Sequence, residues 1–89
     1  MKQARVYISG FVQGIGFRHF VRGKANELGL TGWVKNLPDG RVEILFQGSR
    51  DKIEEAIKEC NKGPFLSEVK DIVVEWEDSK VVYKDFEIM

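Results

Sequence analysis

Between Gly10 and Arg18 the chain reads Gly10-Phe11-Val12-Gln13-Gly14-Ile15-Gly16-Phe17-Arg18, a run of spaced glycines followed at once by an arginine. Glycine takes positive φ at little steric cost, so successive backbone N–H groups in such a loop can turn inward around one centre. A helix-like run follows, and the first turn of a helix carries unpaired N–H groups and a partial positive charge. Arg18 adds a rigid fork of donors suited to phosphate or carboxylate oxygens. These residues have the chemistry of a cradle for a small anion. They fit neither general nucleotide signature. The Walker loop needs Gly-x-x-x-x-Gly-Lys-Ser/Thr, and Ile15 and Gly16 stand where its second Gly and its Lys belong. The dinucleotide pattern begun at Gly14 would require a glycine at His19.

A second stretch, Gly32-Trp33-Val34-Lys35-Asn36-Leu37-Pro38-Asp39-Gly40-Arg41-Val42-Glu43, places Asn36 just before a Pro-Asp-Gly reversal. Asn at such a place is commonly only a turn former. His19, the one histidine, is adjacent to Arg18, but at about 100° per helical residue it points elsewhere and reads as a surface or helix-packing residue. One His, one Cys and scattered carboxylates show no metal-ligand spacing, so neither a metal nor another cofactor is expected.

The elements that must position these residues follow from periodicity. Ala4 to Gly10 alternates, with Val6 and Ile8 on one side and Arg5, Tyr7 and Ser9 on the other, as a half-buried strand does. Phe17, Phe20, Val21, Ala25 and Leu28 recur at helical spacing, and Gly29 stands where a C-terminal cap belongs. Thr31 to Asn36 and Arg41 to Gln47 read as strands joined by a tight turn. Ser49 caps a second helix whose apolar stripe is Ile53, Ala56, Ile57 and Cys60, and Lys62-Gly63-Pro64 ends it. Val69 to Trp76 and Val81 to Ile88 alternate as two further strands. Trp33 and Trp76 read as core or sheet-packing residues. Glu54, Glu55, Glu75 and Glu77 read as solvated faces, and Phe11 and Phe17 flank the loop.

The order β-α-β-β-α-β plus a C-terminal strand predicts an α+β, ferredoxin-like split βαβ sandwich, with two helices on one face of a mixed sheet. The expected order of the first four strands is 4-1-3-2, with strands one and three parallel in the middle. With those directions the end of strand two points toward the start of strand three, and its side chain approaches the loop only if the sheet twist or an arm brings it over. Topology alone then gives no contact between Asn36 and the cradle.

Composition bounds the partners. The chain has 89 residues, with 14 basic and 14 acidic side chains in balance. A nucleic-acid partner would call for a basic excess to neutralise phosphates, so none is expected. No run of about 18 apolar residues is present for a membrane span. The single cysteine, Cys60, permits no intrachain disulfide and falls on the apolar helix stripe, where a buried structural thiol is expected. No secretory leader is read at the N-terminus. A monomeric protein in the cytoplasm is expected, with residues 1–89 forming one domain.

Both stretches resemble the signature motifs of the acylphosphatase family, Gly-x-Val-Gln-Gly-Val-Gly-Phe-Arg and Gly-x-Val-x-Asn-x-x-Asp-Gly-x-Val-Glu. The resemblance continues through Ala25, Leu28-Gly29-Leu30 and Gly32-Trp33-Val34, and the loop departs from the family pattern only in Ile15 for Val. It implies hydrolysis of the carboxyl–phosphate bond of small acyl phosphates without a metal. Acetyl phosphate, carbamoyl phosphate and bisphosphoglycerate-type mixed anhydrides are the substrate types it brings, with inorganic phosphate as product. The family's phosphate-binding arginine maps to Arg18, joined by the loop amides of Gln13, Gly14, Ile15, Gly16, Phe17 and Arg18. Its water-positioning asparagine maps to Asn36. An amide is no base at neutral pH, so Asn36 would orient the attacking water and nothing more.

Two rival readings belong to other classes. RNA-recognition motifs share this fold, and Val6-Tyr7-Ile8-Ser9-Gly10-Phe11 has a faint likeness to their first-strand motif. Strand three, Arg41-Val42-Glu43-Ile44-Leu45-Phe46, lacks the stacking aromatics that such readers carry there. A regulatory module that binds a small molecule without turnover would not need both Arg18 and Asn36. Related domains also open hydrogenase-maturation carbamoyltransferases, and the rest of such an enzyme is not in these 89 residues.

Overall fold

The computed structural model describes residues 2–89. Its elements are β1 (Lys2–Phe11), α1 (Phe17–Glu27), β2 (Thr31–Asn36), β3 (Val42–Gln47), α2 (Arg50–Lys62), β4 (Glu68–Asp78) and β5 (Phe86–Ile88). They form a five-stranded sheet in the order β4-β1-β3-β2-β5, with two helices against one face. The ferredoxin-like α+β architecture read from the sequence is the architecture observed.

Strand direction differs from the sequence expectation. β3 is antiparallel to both β1 and β2, so β1 and β2 run the same way on either side of it. The physical reason lies in the connections. A strand–helix–strand crossover returns the chain in its original direction, whereas the tight turn at Pro38-Asp39-Gly40 reverses it. β1 and β2 are joined through α1, so they must be parallel.

Alternation decides the faces. Ala4, Val6 and Ile8 of β1, Val34 of β2 and Val42, Ile44 and Phe46 of β3 point toward the helices and meet Val21, Ala25, Ile53, Ala56 and Cys60. Trp76 packs against the same core from β4, opposite Ala4, while Trp33 lies on the other face beneath Arg5 and Lys35. Burial pushes the Cys60 thiol up to about 12, so it stays protonated and inert.

Both helices end as their sequences indicate. Ser49 Oγ accepts from the Lys52 N–H at 3.4 Å at the start of α2. After α1, the Leu30 N–H donates to Ala25 and the Gly29 N–H to Asn26, the paired bonds of a Schellman ending.

The last strand is shorter than its pattern suggests. Only Phe86–Ile88 pairs, parallel to β2, and Val81 and Val82 are exposed rather than alternating into the sheet. β4 and β5 occupy opposite edges, so residues 79–85 have to cross the end of the sheet. Gln47 fastens this strap: its Nε2 donates to the Val81 carbonyl at 2.7 Å and its Oε1 accepts from the Tyr83 N–H at 2.9 Å. Gln47 also donates to Gln3 Oε1 at 3.2 Å, and Gln3 donates to Glu77 at 2.6 Å.

Glu77 is therefore hydrogen-bonded within the sheet and only partly solvated. It also pairs with Arg5, which bonds Glu43 at 2.9 Å. The Gln3 amide, aided by Arg5, holds the Glu77 carboxyl below its usual value of 4.5, against the opposing effect of burial. A depressed carboxylate contributes stability that is fully present above its unfolded-state pKa and lost as pH falls through the folded one.

Two measurements check these features. Gly32 has φ +132 and an added Cβ would run into the Leu45 carbonyl, whereas Gly23 in α1 has open space around it. Chemical denaturation should show Gly32→Ala destabilised by about 2 kcal/mol or more and Gly23→Ala stabilised by about 0.5–1 kcal/mol. In thermal melts, Glu77→Gln should lose less Tm than the parent between about pH 5 and pH 3. An equal loss in both proteins would contradict the role given to Glu77.

Candidate active site

The loop between β1 and α1 is held by apolar anchors. Val12 and Phe17 are each only 1% exposed, and Ile15 packs against the core between them. Gly14 and Gly16, in contrast, face outward with φ +76 and +78. Their open surroundings mean that glycine is required for the dihedral and not for space. Ile15 between them has negative φ. Alternating φ signs of this kind are the backbone pattern of an anion nest, in which successive N–H groups can turn toward one centre.

The nest runs directly into α1. Gly16 is the N-cap, no side chain caps the helix, and no acidic residue lies in its first turn. The positive end of the helix dipole is thus left for an anion. Arg18 stands in this first turn, half-buried, and its Nη1 donates to the Met89 carbonyl at 3.0 Å. Met89 in turn donates its N–H to Val34 at 2.8 Å, two residues before Asn36.

Parallel β1 and β2 bring Asn36 to the same end of the sheet as the loop. Val42 is the register partner of Ile8 on one side and of Asn36 on the other. At the usual interstrand spacing, Asn36 lies about 10 Å from Ile8 across β3. Asn36 shares the face of Val34, so its side chain projects on the helix side, where α1 begins. Its Oδ1 is buried and has no hydrogen-bond partner. A buried acceptor without a donor costs about 1–3 kcal/mol, so this atom has an unmet demand for one.

The turn behind Asn36 is firmly built. The Leu37 N–H donates to Arg41 at 2.8 Å and the Gly40 N–H to Leu37 at 3.1 Å. Asp39 accepts from the Arg41 backbone at 3.1 Å and from its Nε at 2.9 Å, and these bonds hold its carboxyl below the usual range.

Two connections at this site were not legible in the sequence. Gln13 Nε2 reaches from the loop to this turn and donates to the carbonyls of Leu37 at 2.9 Å and Arg41 at 2.8 Å. Only its position between the glycines hinted at a role, and that hint pointed to its backbone amide. The anchor of Arg18 at Met89 was also not legible. The structure thus gathers Gln13 to Arg18 and Asn36 at one end of the sheet. His19 is exposed, and Phe11 is 57% exposed. Among the described residues, no three His, Cys, Asp or Glu side chains gather closely enough to hold a metal ion.

The sequence model of the acylphosphatase family matches residues 4–88. The chain belongs to the acylphosphatase family. An acylphosphatase from Trichormus variabilis is 50% identical over 76 residues, covering 85% of this chain and 75% of that protein. One from Roseiflexus sp. is 42% identical over 89 residues, covering 100% and 96%. The crystal structure of acylphosphatase from Bacillus subtilis superimposes with a TM-score of 0.97 at 40% identity, covering 100% of this chain and 99% of that one. The loop and hairpin on which the sequence resemblance rested both lie within the matched residues.

Proposed function

We propose that this end of the sheet hydrolyses the carboxyl–phosphate bond of small acyl phosphates without a metal, releasing a carboxylate and inorganic phosphate. Hydrolysis of acyl phosphates is the activity of the family to which the chain belongs. The N–H groups from Gln13 to Arg18 and the Arg18 guanidinium hold the phosphoryl oxygens. Asn36 holds the attacking water. The observation that carries this reading is the juxtaposition of loop and hairpin: Gln13 bonds the carbonyls of Leu37 and Arg41, so the residue that follows Asn36 lies against the glycine loop.

The bond changes are simple. The water oxygen bonds to phosphorus, the bond from phosphorus to the acyl oxygen breaks, and its electron pair leaves on the carboxylate. The water's proton passes to a phosphoryl oxygen. No general acid is needed, because the departing carboxylate has a conjugate acid of pKa about 4. A phosphomonoester would expel an alkoxide and would need an acid or a Lewis acid to do so. Arg18 and the amides offset the charge on the transferring group, so catalysis is electrostatic and positional.

The reading includes residues 1–89 as one catalytic unit, acting as a monomer in the cytoplasm. A lone buried thiol suits a reducing compartment.

Phosphate release from benzoyl or acetyl phosphate in the presence of EDTA tests the reaction. Turnover well above buffer supports it, and no turnover by folded protein sinks it. Two variants then test the roles. Asn36→Ala should lower kcat by about 100-fold or more with KM little changed. Arg18→Ala should lower kcat by about 1,000-fold or more and weaken inhibition by inorganic phosphate. Phosphate inhibition as strong as in the parent would show that Arg18 does not hold the phosphoryl group.

A further inference from the structure

Both donors of the Gln13 amide are committed to the hairpin, at 2.9 Å to Leu37 and 2.8 Å to Arg41. Those carbonyls form the base of the turn. Leu37 O also accepts from Gly40, and Arg41 O from Leu37, so neither carbonyl can shift without opening the turn. Leu37 is joined to Asn36 by a single peptide bond. On the loop side, Gln13 lies between the core anchor Val12 and the positive-φ Gly14. One half-buried side chain therefore ties the backbone that forms the nest to the backbone that carries Asn36.

We propose that the Gln13 side chain is a positioning residue for the hydrolytic step, setting the separation between the bound phosphoryl group and the water on Asn36. This rests on the functional reading above. Gln13 does not touch the water in this scheme. It acts through the Leu37 carbonyl and the adjoining peptide. Phosphate is held by the loop and Arg18 alone, whereas attack requires loop and hairpin in register. Loss of the clamp should then slow the chemical step while leaving phosphate binding intact. A displacement of about 1 Å between reacting partners can cost on the order of 100-fold in rate.

The experiment compares the full-length parent with Gln13→Met and Gln13→Lys. Methionine keeps length and bulk but has no donors, and lysine restores donors on a stem of similar reach. Circular dichroism and denaturation confirm that each is folded. For Gln13→Met, kcat on benzoyl phosphate should fall about 10- to 100-fold, with the inhibition constant of inorganic phosphate changed less than about threefold. Gln13→Lys should recover most of the lost kcat. Parent-like kcat in folded Gln13→Met would overturn the proposal. So would a parallel loss of kcat and phosphate affinity, the mark of a merely collapsed loop, or failure of lysine to recover rate. A parent that releases no phosphate would instead sink the functional reading itself, and the two failures are told apart.

Discussion

The organisation of the site depends on a directional constraint in the backbone. β1 and β2 are connected through a helix that crosses the sheet face, and such a connection returns the chain in the direction it came from. Inserting β3 between them, antiparallel to each, leaves the C-terminal ends of β1 and β2 at one end of the sheet. The glycine loop leaves the first of these ends and Asn36 occupies the second. The alternation of β2 then decides that Asn36 projects on the helix side, because Val34 two residues earlier is a core residue. An anion nest, a helix N-terminus and a polar amide converge without any long-range device beyond strand polarity and pleat.

That end is then stiffened from both sides. Val12, Ile15 and Phe17 sink into the core and leave the glycine N–H groups outward. Gln13 fastens the loop to the hairpin, and Met89, just after β5, gives Arg18 an acceptor. Such stiffness matters because phosphoryl transfer asks little covalent chemistry of a protein. Charge placed in advance and a water held at the right distance supply most of the rate. An acyl phosphate brings its own good leaving group, so the lack of a general acid at this end is compatible with turnover.

Much of this was legible in the residues. Periodic stripes and caps marked both helices, and the Leu37-Pro38-Asp39-Gly40 turn and the glycine loop were plain. What the local pattern could not carry were contacts between residues far apart in sequence. Strand direction was misjudged at β1 and β3, although the helical crossover already contains the answer, and that error alone hid the approach of Asn36 to the loop. Val81 and Val82 matched a strand by alternation, yet the chain there must cross the sheet end and is held by Gln47. Glu77 looked solvated because its partners, Gln3 and Arg5, lie at the opposite end of the sequence. The Gln13 side chain carried no periodic signal, and its partners are backbone carbonyls with no residue identity to read.

The proposed reaction requires the cradle to present phosphorus, rather than the acyl carbon, to a water held on the hairpin. Turnover of an acyl phosphate in ¹⁸O-labelled water, followed by mass spectrometry of both products, tests this directly. Attack at phosphorus places the label in inorganic phosphate and leaves the carboxylate unlabelled. Label in the carboxylate would mean that water attacks carbon, and the account of the loop, Arg18 and Asn36 would be wrong.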